Sequence, residues 1–270
     1  MMVIDSIQAA LNYESLGKRN EQFRGNGNGK MGTTGFLVGL LGGIHLGFVL
    51  TLLFIWALRR DLVDSILDRE PYLYSVLVTV LHWSLYFGLL CIFHFMEFFT
   101  TAMWQPLVLK YDSYIVNHSK AYTIAALASW SEYWIESLLF PRYKHFYKSI
   151  VFAGFLMVAC GQLIRTVGMW TCGKNFAHVI MTEKDENHQL VKHGIYSILR
   201  HPSYFGWFYW SVGTQVLLCN PICTIMYTYV SWSFFNSRIP HEEAHLVKFY
   251  KEEYVNYSKR TYIGIPFMSQ

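Results

Sequence analysis

The stretch of sequence that decides the fold reads His188-Gln-Leu-Val-Lys-His193-Gly194-Ile-Tyr196-Ser-Ile-Leu-Arg200-His201-Pro202-Ser-Tyr204-Phe-Gly206. It brings titratable, glycine and aromatic residues together beside a long apolar run. Gly194 predicts a tight turn, because glycine adopts a positive φ without a steric cost. Pro202 suits the first turn of a helix, where its missing N–H group is not needed. Free backbone N–H groups at that helix start, next to Arg200 and His201, predict a polar pocket at the edge of an apolar layer.

The apolar layer is expected to be a membrane. Hydrophobic residues make up 53% of the 270 positions. The run 36–58 contains one histidine and no other titratable side chain, and about 20 apolar residues suffice to cross a bilayer. Comparable runs follow, with charged residues between them. We therefore predict an all-α fold, a polytopic integral membrane helical bundle. The net charge of +4 is modest and lies mostly in short connections, which favours a membrane protein over one that binds nucleic acid.

A positively charged loop at a membrane boundary is the simpler interpretation of the polar stretch, and Arg200 or His201 alone fits it equally well. The full spacing Gly-x-Tyr-x-x-x-Arg-His-Pro-x-Tyr-x-Gly is far more specific. It resembles the C-terminal signature of the isoprenylcysteine carboxyl methyltransferase family, whose membrane superfamily also includes phospholipid methyltransferases and, more distantly, sterol reductases. The resemblance covers residues 161–267 and includes the run Gly206-Trp-Phe-Tyr-Trp-Ser-Val-Gly-Thr-Gln-Val-Leu-Leu-Cys-Asn-Pro-Ile-Cys223. The first hundred residues carry little that matches.

Hydropathy predicts six membrane spans or half-spans, whereas the resemblance implies eight, so the two differ at the N-terminal end and the expected number is six to eight. Residues 1–34 are interpreted as an N-terminal segment, 35–170 as transmembrane helices and 171–270 as the catalytic region. Within that region we expect a cytosol-facing cofactor loop at 171–199 and a membrane helical hairpin at 203–236 that breaks at Asn220-Pro221. A separate amphipathic helix is predicted for 238–257, with Pro240 in its first turn. Residues 61–71 are expected to form a charged connection, and the long run 72–109 could hold two spans.

The resemblance implies an S-adenosylmethionine-dependent enzyme that methylates the C-terminal carboxylate of a prenylated cysteine in CaaX-processed proteins. It implies an endoplasmic reticulum membrane location with the active site towards the cytosol. Prenylated proteins are then the substrates, and membrane lipid surrounds the chain. The residues that the resemblance places at the cofactor are Met181, His188, Gln189, Leu190, Val191, Tyr196, Arg200, His201, Pro202, Tyr204 and Glu242. Aromatic faces suit a sulfonium and adenine, while Arg and His suit a carboxylate.

Two arginines are candidates for holding the substrate carboxylate. Arg238 and Glu242 lie four residues apart, so one helix surface could present a cation and an anion together. By resemblance, the arginine points to the substrate and the glutamate to the cofactor. Gln162 and Arg165 share a face of the span 149–170, where Arg165 either lines a cavity, pairs or snorkels to the interface. Arg238, Arg165 and Gln162 are therefore the predicted catalytic and substrate-binding residues. An ordinary helix start explains Glu243.

Methyl transfer to a carboxylate requires no metal, and the five cysteines show no zinc-type pairs of pairs. We predict that no metal is bound. Two other functions are possible. A sterol-reductase-like NADPH oxidoreductase would need basic residues that bind the phosphates of the nucleotide. A phospholipid N-methyltransferase has an amine acceptor, which needs no paired arginines. A scaffold without catalytic activity would have no affinity for the methyl donor.

Overall fold

The computed structural model describes residues 28–116, 119–140, 147–184 and 189–268. Its α-helices are α1 (Asn28–Leu58), α2 (Arg60–Arg69), α3 (Pro71–Trp104), α4 (Lys120–Leu139), α5 (Lys148–Cys172), α6 (Pro202–Leu217), α7 (Pro221–Tyr250) and α8 (Glu252–Ser258). Four 3₁₀ turns lie between them, at Pro106–Val108, Tyr111–Tyr114, Gly173–Asn175 and Gly194–Ser197. The described residues form no β-strand, apart from an isolated bridge between Leu199 and Tyr262. The predicted all-α fold is confirmed.

Three helices in the described parts of the chain are long and apolar enough to cross a membrane: Gly29–Leu58, Tyr72–Trp104 and Lys148–Asn175. These lengths follow from unbroken apolar sequence, since the run 72–104 contains neither glycine pairs nor an internal proline that would end a helix. The possibility of two spans at 72–109 is therefore wrong; one helix of 34 residues fills most of it. The count of six to eight membrane helices stays a prediction.

The chain divides into two compact units, Met1–Thr123 and Ile124–Gln270. In the first unit α1 packs against α3, with Gly42 next to Cys91 and Gly88 next to Leu46. His45 hydrogen bonds to Ser84 at 3.1 Å across this helix pair. The segment 61–71, predicted to be a connection, lies mostly within α2 instead. The sequence of this segment alternates apolar and charged residues at a spacing that suits a short amphipathic helix.

In the second unit, α5 and α6 meet along a seam of glycines. The glycines recur every seventh residue, so they stay on one face of each helix: Gly154, Gly161 and Gly168 on α5, and Gly206 and Gly213 on α6. A Cβ atom at Gly161 would lie 2.7 Å from the carbonyl oxygen of Gly206. Only glycine lets the two backbones approach this closely.

The hairpin of α6 and α7 breaks at Asn220-Pro221, as predicted. Glu132 of α4 accepts hydrogen bonds at 2.7 Å from the backbone N–H groups of Ile222 and Cys223. Its carboxylate therefore satisfies two of the free donors at the start of α7 and complements the helix dipole there. Asn220 donates to the carbonyl oxygen of Ser129 at 2.9 Å. These contacts make Glu132 a helix cap.

The predicted helix start at Pro240 is wrong. Helix α7 runs for 30 residues through Pro240 and ends at Tyr250, and α8 follows after Lys251. A proline inside a helix loses one backbone hydrogen bond. Here tertiary contacts hold the helix on both sides of that gap, since Ile239 is buried in the hairpin core and Glu243 pairs with Arg200.

The C-terminal tail completes the hairpin core. Ile263 and Ile265 are buried in a cluster with Phe208, Val212, Phe235 and Ile239. The indole of Trp232 donates to the carbonyl oxygen of Pro266 at 2.8 Å. The tail also pairs with the polar stretch, because Arg200 N–H bonds to the Tyr262 carbonyl at 3.0 Å and Tyr262 N–H bonds to the Ile198 carbonyl at 2.9 Å.

Candidate active site

A pocket opens in the second unit between residues 172–181 and 189–191, the start of α6, and the end of α7 with α8. Nine of the predicted cofactor residues line it together: Met181, Gln189, Leu190, Val191, Tyr196, Arg200, His201, Tyr204 and Glu242. Residues that sequence reasoning missed form the opposite wall, namely His245, Leu246, Phe249, Tyr250, Tyr254 and Tyr257. The helical spacing of the apolar and aromatic residues among them is visible in the sequence, but the same spacing is typical of a helix at a membrane interface. The pocket needs one wall from this helix surface.

Two predicted cofactor residues are not part of this wall. Pro202 is buried at the first position of α6, and a Cβ atom at Gly168 would lie 3.0 Å from its ring. Its position fits the predicted helix start and does not line the pocket. His188 lies outside the described residues.

An ionic cluster ties the start of α6 to α7. Arg200 donates from Nε to Glu243 Oε1 at 2.6 Å and from Nη1 to the Thr261 carbonyl at 2.8 Å. His201 donates from Nε2 to the same Glu243 oxygen at 2.9 Å. The Arg200 side chain is 1% exposed and that of Glu243 is 23% exposed. The interpretation of Glu243 as an ordinary helix-start residue is therefore wrong: its carboxylate compensates a buried guanidinium.

The same cluster keeps the Glu243 carboxylate ionised. Glu243 lies C-terminal to the predicted membrane hairpin 203–236. Burial of the carboxyl favours its neutral form, but hydrogen bonds from His201 and Arg200 outweigh burial and lower the pKa of Glu243 to about 2. Glu243 is ionised at neutral pH. Since Arg200 already has this counter-ion, a role for Arg200 towards the carboxylate of a bound cofactor stays a prediction.

A second polar chain lies beside the pocket. Arg238 donates from Nε to the hydroxyl of Tyr204 at 2.9 Å and from Nη2 to the His178 carbonyl at 2.7 Å. The Tyr204 hydroxyl in turn donates to Glu242. Arg238 and Glu242 are thus connected through Tyr204, on the surface where their spacing predicted a cation and an anion together.

The two other predicted substrate residues lie within the helix seam. Arg165 is buried and donates from Nη1 to the Ser203 carbonyl at 3.1 Å and to the Ser203 hydroxyl at 2.8 Å. Gln162 donates to Thr166 at 3.1 Å. Neither lines the pocket, although Ser203 does. Of the alternatives open for Arg165, the structure shows that it pairs within the protein, and its substrate role stays a prediction.

Neutral phenols surround the pocket. Burial raises the pKa of Tyr196 well above its ordinary value, and burial also raises the pKa values of Tyr254 and Tyr257. The Tyr257 hydroxyl donates to the Tyr196 carbonyl at 2.7 Å, which attaches the loop to α8. These rings present uncharged aromatic surface, which suits a cationic or planar ligand. Within the described ranges, no three His, Cys, Asp or Glu side chains are grouped so that they could hold a metal ion.

The sequence that forms this pocket is similar to that of known proteins. Residues 153–248 match the model of the isoprenylcysteine carboxyl methyltransferase family. The chain is 44% identical over 188 residues to the protein-S-isoprenylcysteine O-methyltransferase of Dictyostelium discoideum, covering 70% of this chain and 78% of that protein. It is 40% identical over 192 residues to that of Saccharomyces cerevisiae, covering 69% and 80%. The chain belongs to the isoprenylcysteine carboxyl methyltransferase family.

A solved structure of this family supports the same assignment. The eukaryotic intramembrane Ras methyltransferase superposes with a TM-score of 0.68 at 31% identity, covering 86% of this chain and 98% of that one. The chain also matches the Rattus norvegicus protein-S-isoprenylcysteine O-methyltransferase at 46% identity over 187 residues, which is 69% of this chain and 66% of that protein. It therefore spans slightly less than two thirds of that relative. The family-matched segment contains Arg165, the Arg200–Glu243 cluster and Arg238, whereas the pocket wall from Phe249 onward lies beyond it.

Proposed function

We propose that this chain transfers a methyl group from S-adenosylmethionine to the C-terminal carboxylate of a farnesylated or geranylgeranylated cysteine, giving a methyl ester. The observation that carries the proposal is the link between the aromatic pocket and an available cation. Glu242 lines the pocket, Arg238 lies beside it, and the Tyr204 hydroxyl joins them. An enzyme of this kind needs a donor site and an acceptor-carboxylate site next to each other. We assign Glu242 to the donor site and Arg238 to the acceptor site.

The pocket residues fit the proposed donor. S-adenosylmethionine supplies an electrophilic methyl group on a sulfonium when it is bound. Neutral rings such as Tyr196 and Tyr204 offer π faces to a cation or to adenine. Glu242 has one carboxylate oxygen bonded to Tyr204 and its other oxygen without a hydrogen-bond partner among the described residues. That oxygen can accept from a ligand ammonium or hydroxyl group.

The acceptor carboxylate needs a cation and no general base, because a terminal carboxyl group with a pKa of about 3.3–3.7 is already ionised at neutral pH. Arg238 is half-buried, and its Nη1 has no hydrogen-bond partner among the described residues. A guanidinium held at its other nitrogens can present this edge to a carboxylate oxygen. Holding the two reactants in line supplies much of the rate for such a displacement.

The substrate reaches this site from the membrane in our proposal. A prenyl chain is as apolar as lipid, so it can pass laterally between helices that expose apolar side chains. The substrates would then be prenylated CaaX-type proteins, and the enzyme would lie in the endoplasmic reticulum membrane with its pocket towards the cytosol.

The test is transfer of labelled methyl from S-adenosylmethionine to N-acetyl-farnesylcysteine by the purified protein in detergent. We expect base-labile label in the prenylcysteine product. Calorimetry with S-adenosylhomocysteine and with NADPH addresses the reductase alternative, and phosphatidylethanolamine as acceptor addresses the phospholipid alternative. Binding of NADPH alone, or methylation of the amine lipid alone, would contradict the proposal.

A further inference from the structure

We propose that the hydroxyl group of Tyr204 is a positioning group for Arg238, separate from the contact of its ring with the pocket. The inference deepens the proposed function and rests on it. Its starting observation is that this hydroxyl bonds to two charged side chains at once. Arg238 lies on the side where the acceptor carboxylate would bind, and Glu242 lines the pocket.

The direction of each hydrogen bond in this chain is fixed by its chemistry. A guanidinium has no acceptor atom, so Arg238 Nε donates to the Tyr204 oxygen. The Tyr204 hydroxyl has one proton, and it donates that proton to Glu242. The proton cannot turn towards Arg238, and the oxygen lone pair is therefore held facing Nε. Glu242 thus fixes the orientation of the hydroxyl, and the hydroxyl fixes one nitrogen of the arginine.

Two contacts are needed to fix the plane of the guanidinium. The first is the Tyr204 hydroxyl at Nε, and the second is the His178 carbonyl at Nη2, 2.7 Å away. Without the first hydrogen bond, the guanidinium keeps its positions over the Tyr204 and Phe234 rings, with Cζ 5.5 and 5.6 Å from their centroids. Those contacts have no preferred N–H direction, so Nε is no longer held and Nη1 loses its direction. Planar, forked recognition of a carboxylate depends on that direction, more than a point charge would.

The ring of Tyr204 is held independently of its hydroxyl. It stacks on the His201 ring with centroids 5.5 Å apart and 10° between the planes, and it packs against Phe235 with centroids 5.1 Å apart. Phenylalanine can make both contacts. Tyr204→Phe therefore removes the proposed function of the hydroxyl while it keeps the shape of the pocket wall.

The experiment compares Tyr204→Phe with the wild type and with Tyr209→Phe. Tyr209 is a matched control on the same helix, since its hydroxyl bonds to the Gly264 carbonyl and it does not line the pocket. For Tyr204→Phe we expect kcat/KM for N-acetyl-farnesylcysteine to fall about tenfold or more, as for a lost hydrogen bond to a charged group. The affinity for S-adenosylhomocysteine should change less than about threefold on the same scale. Tyr209→Phe should match the wild type in both measurements.

A double variant distinguishes positioning from a general structural effect. If the hydroxyl acts through Arg238, Tyr204→Phe should add almost nothing to the loss caused by Arg238→Lys. Additive losses would overturn the proposal, and so would normal acceptor kinetics in Tyr204→Phe. A defect confined to cofactor affinity would also overturn it, because the hydroxyl would then serve Glu242 alone. If the proposed function itself were wrong, the wild type would transfer no methyl group, and this result differs from every outcome that concerns the Tyr204 hydroxyl.

Discussion

Replacing Glu243 by alanine should destabilise the second unit, because it leaves Arg200 buried without its counter-ion. Removing one partner of a fully buried ion pair costs about 3–5 kcal/mol. The Glu243 side chain keeps 23% of its exposure, and Arg200 keeps its bond to the Thr261 carbonyl. We therefore expect a loss of about 2–3 kcal/mol in the free energy of unfolding, below the range for a fully buried pair.

Equilibrium denaturation in detergent micelles measures this loss. The matched control is Glu253→Ala, which removes a pair of similar length with Lys192 whose side chains are 45% and 52% exposed. An exposed pair contributes about 0–1 kcal/mol, so the control should stay within that range. If Glu243→Ala proved as stable as Glu253→Ala, the argument that the Arg200 charge depends on Glu243 would be refuted.

Low pH should remove the stabilisation that the contact between Glu243 and Arg200 provides. The pKa of Glu243 is lowered to about 2 from an ordinary value of 4.5, so the folded state holds this proton less tightly than the unfolded chain does. The stabilisation is fully present above pH 4.5 and is lost as the pH falls towards 2. The stability difference between the wild type and Glu243→Gln should shrink across that interval.

The remaining predictions concern the helix seam, the pocket and the absence of a metal requirement. Gly161→Ala should sharply reduce the yield of monodisperse protein in detergent, because its Cβ would meet the Gly206 carbonyl at 2.7 Å; Gly32→Ala, with open space around it, should leave the yield unchanged. Tyr196→Ala and His201→Ala should each weaken S-adenosylhomocysteine binding by calorimetry, about tenfold or more if each removes one good contact; unchanged affinity in both would remove them from the site. Chelation with EDTA should leave the methyl-transfer rate unchanged, and a loss restored by one added metal would contradict that prediction.

The polar stretch is interpretable from sequence because its chemistry is local. Gly194 does adopt a positive φ of 58°, and Pro202 does begin a helix. The glycines of α6 likewise predict a close neighbour, since two of them on one helix face leave room for another backbone. The position of the pocket at the start of α6 therefore follows from short-range rules.

What sequence reasoning missed depends on contacts between distant residues. Local rules place Pro240 at a helix start, yet Ile239 and Glu243 hold the helix continuous across it. That continuity gives Glu243 its contact with Arg200, 43 positions earlier. A buried arginine needs a counter-ion or hydrogen-bond acceptors, but the sequence alone does not reveal which partner Arg200 has, nor which of the two adjacent glutamates it is. Arg165 is similarly ambiguous in the sequence, because its partner Ser203 lies 38 positions away.

The C-terminal tail has a consequence for how the protein is made. Arg200 depends on the Thr261 carbonyl, 61 positions later, and the tail isoleucines cover the hairpin core. Synthesis proceeds from the N-terminus, so α6 and α7 are made before the residues that cover them, and the unit is complete only when the tail has docked. Until then the nascent chain exposes an open apolar groove and an arginine that lacks its last bond. Docking of the tail is therefore the step that completes both the hairpin core and the hydrogen bonds of Arg200.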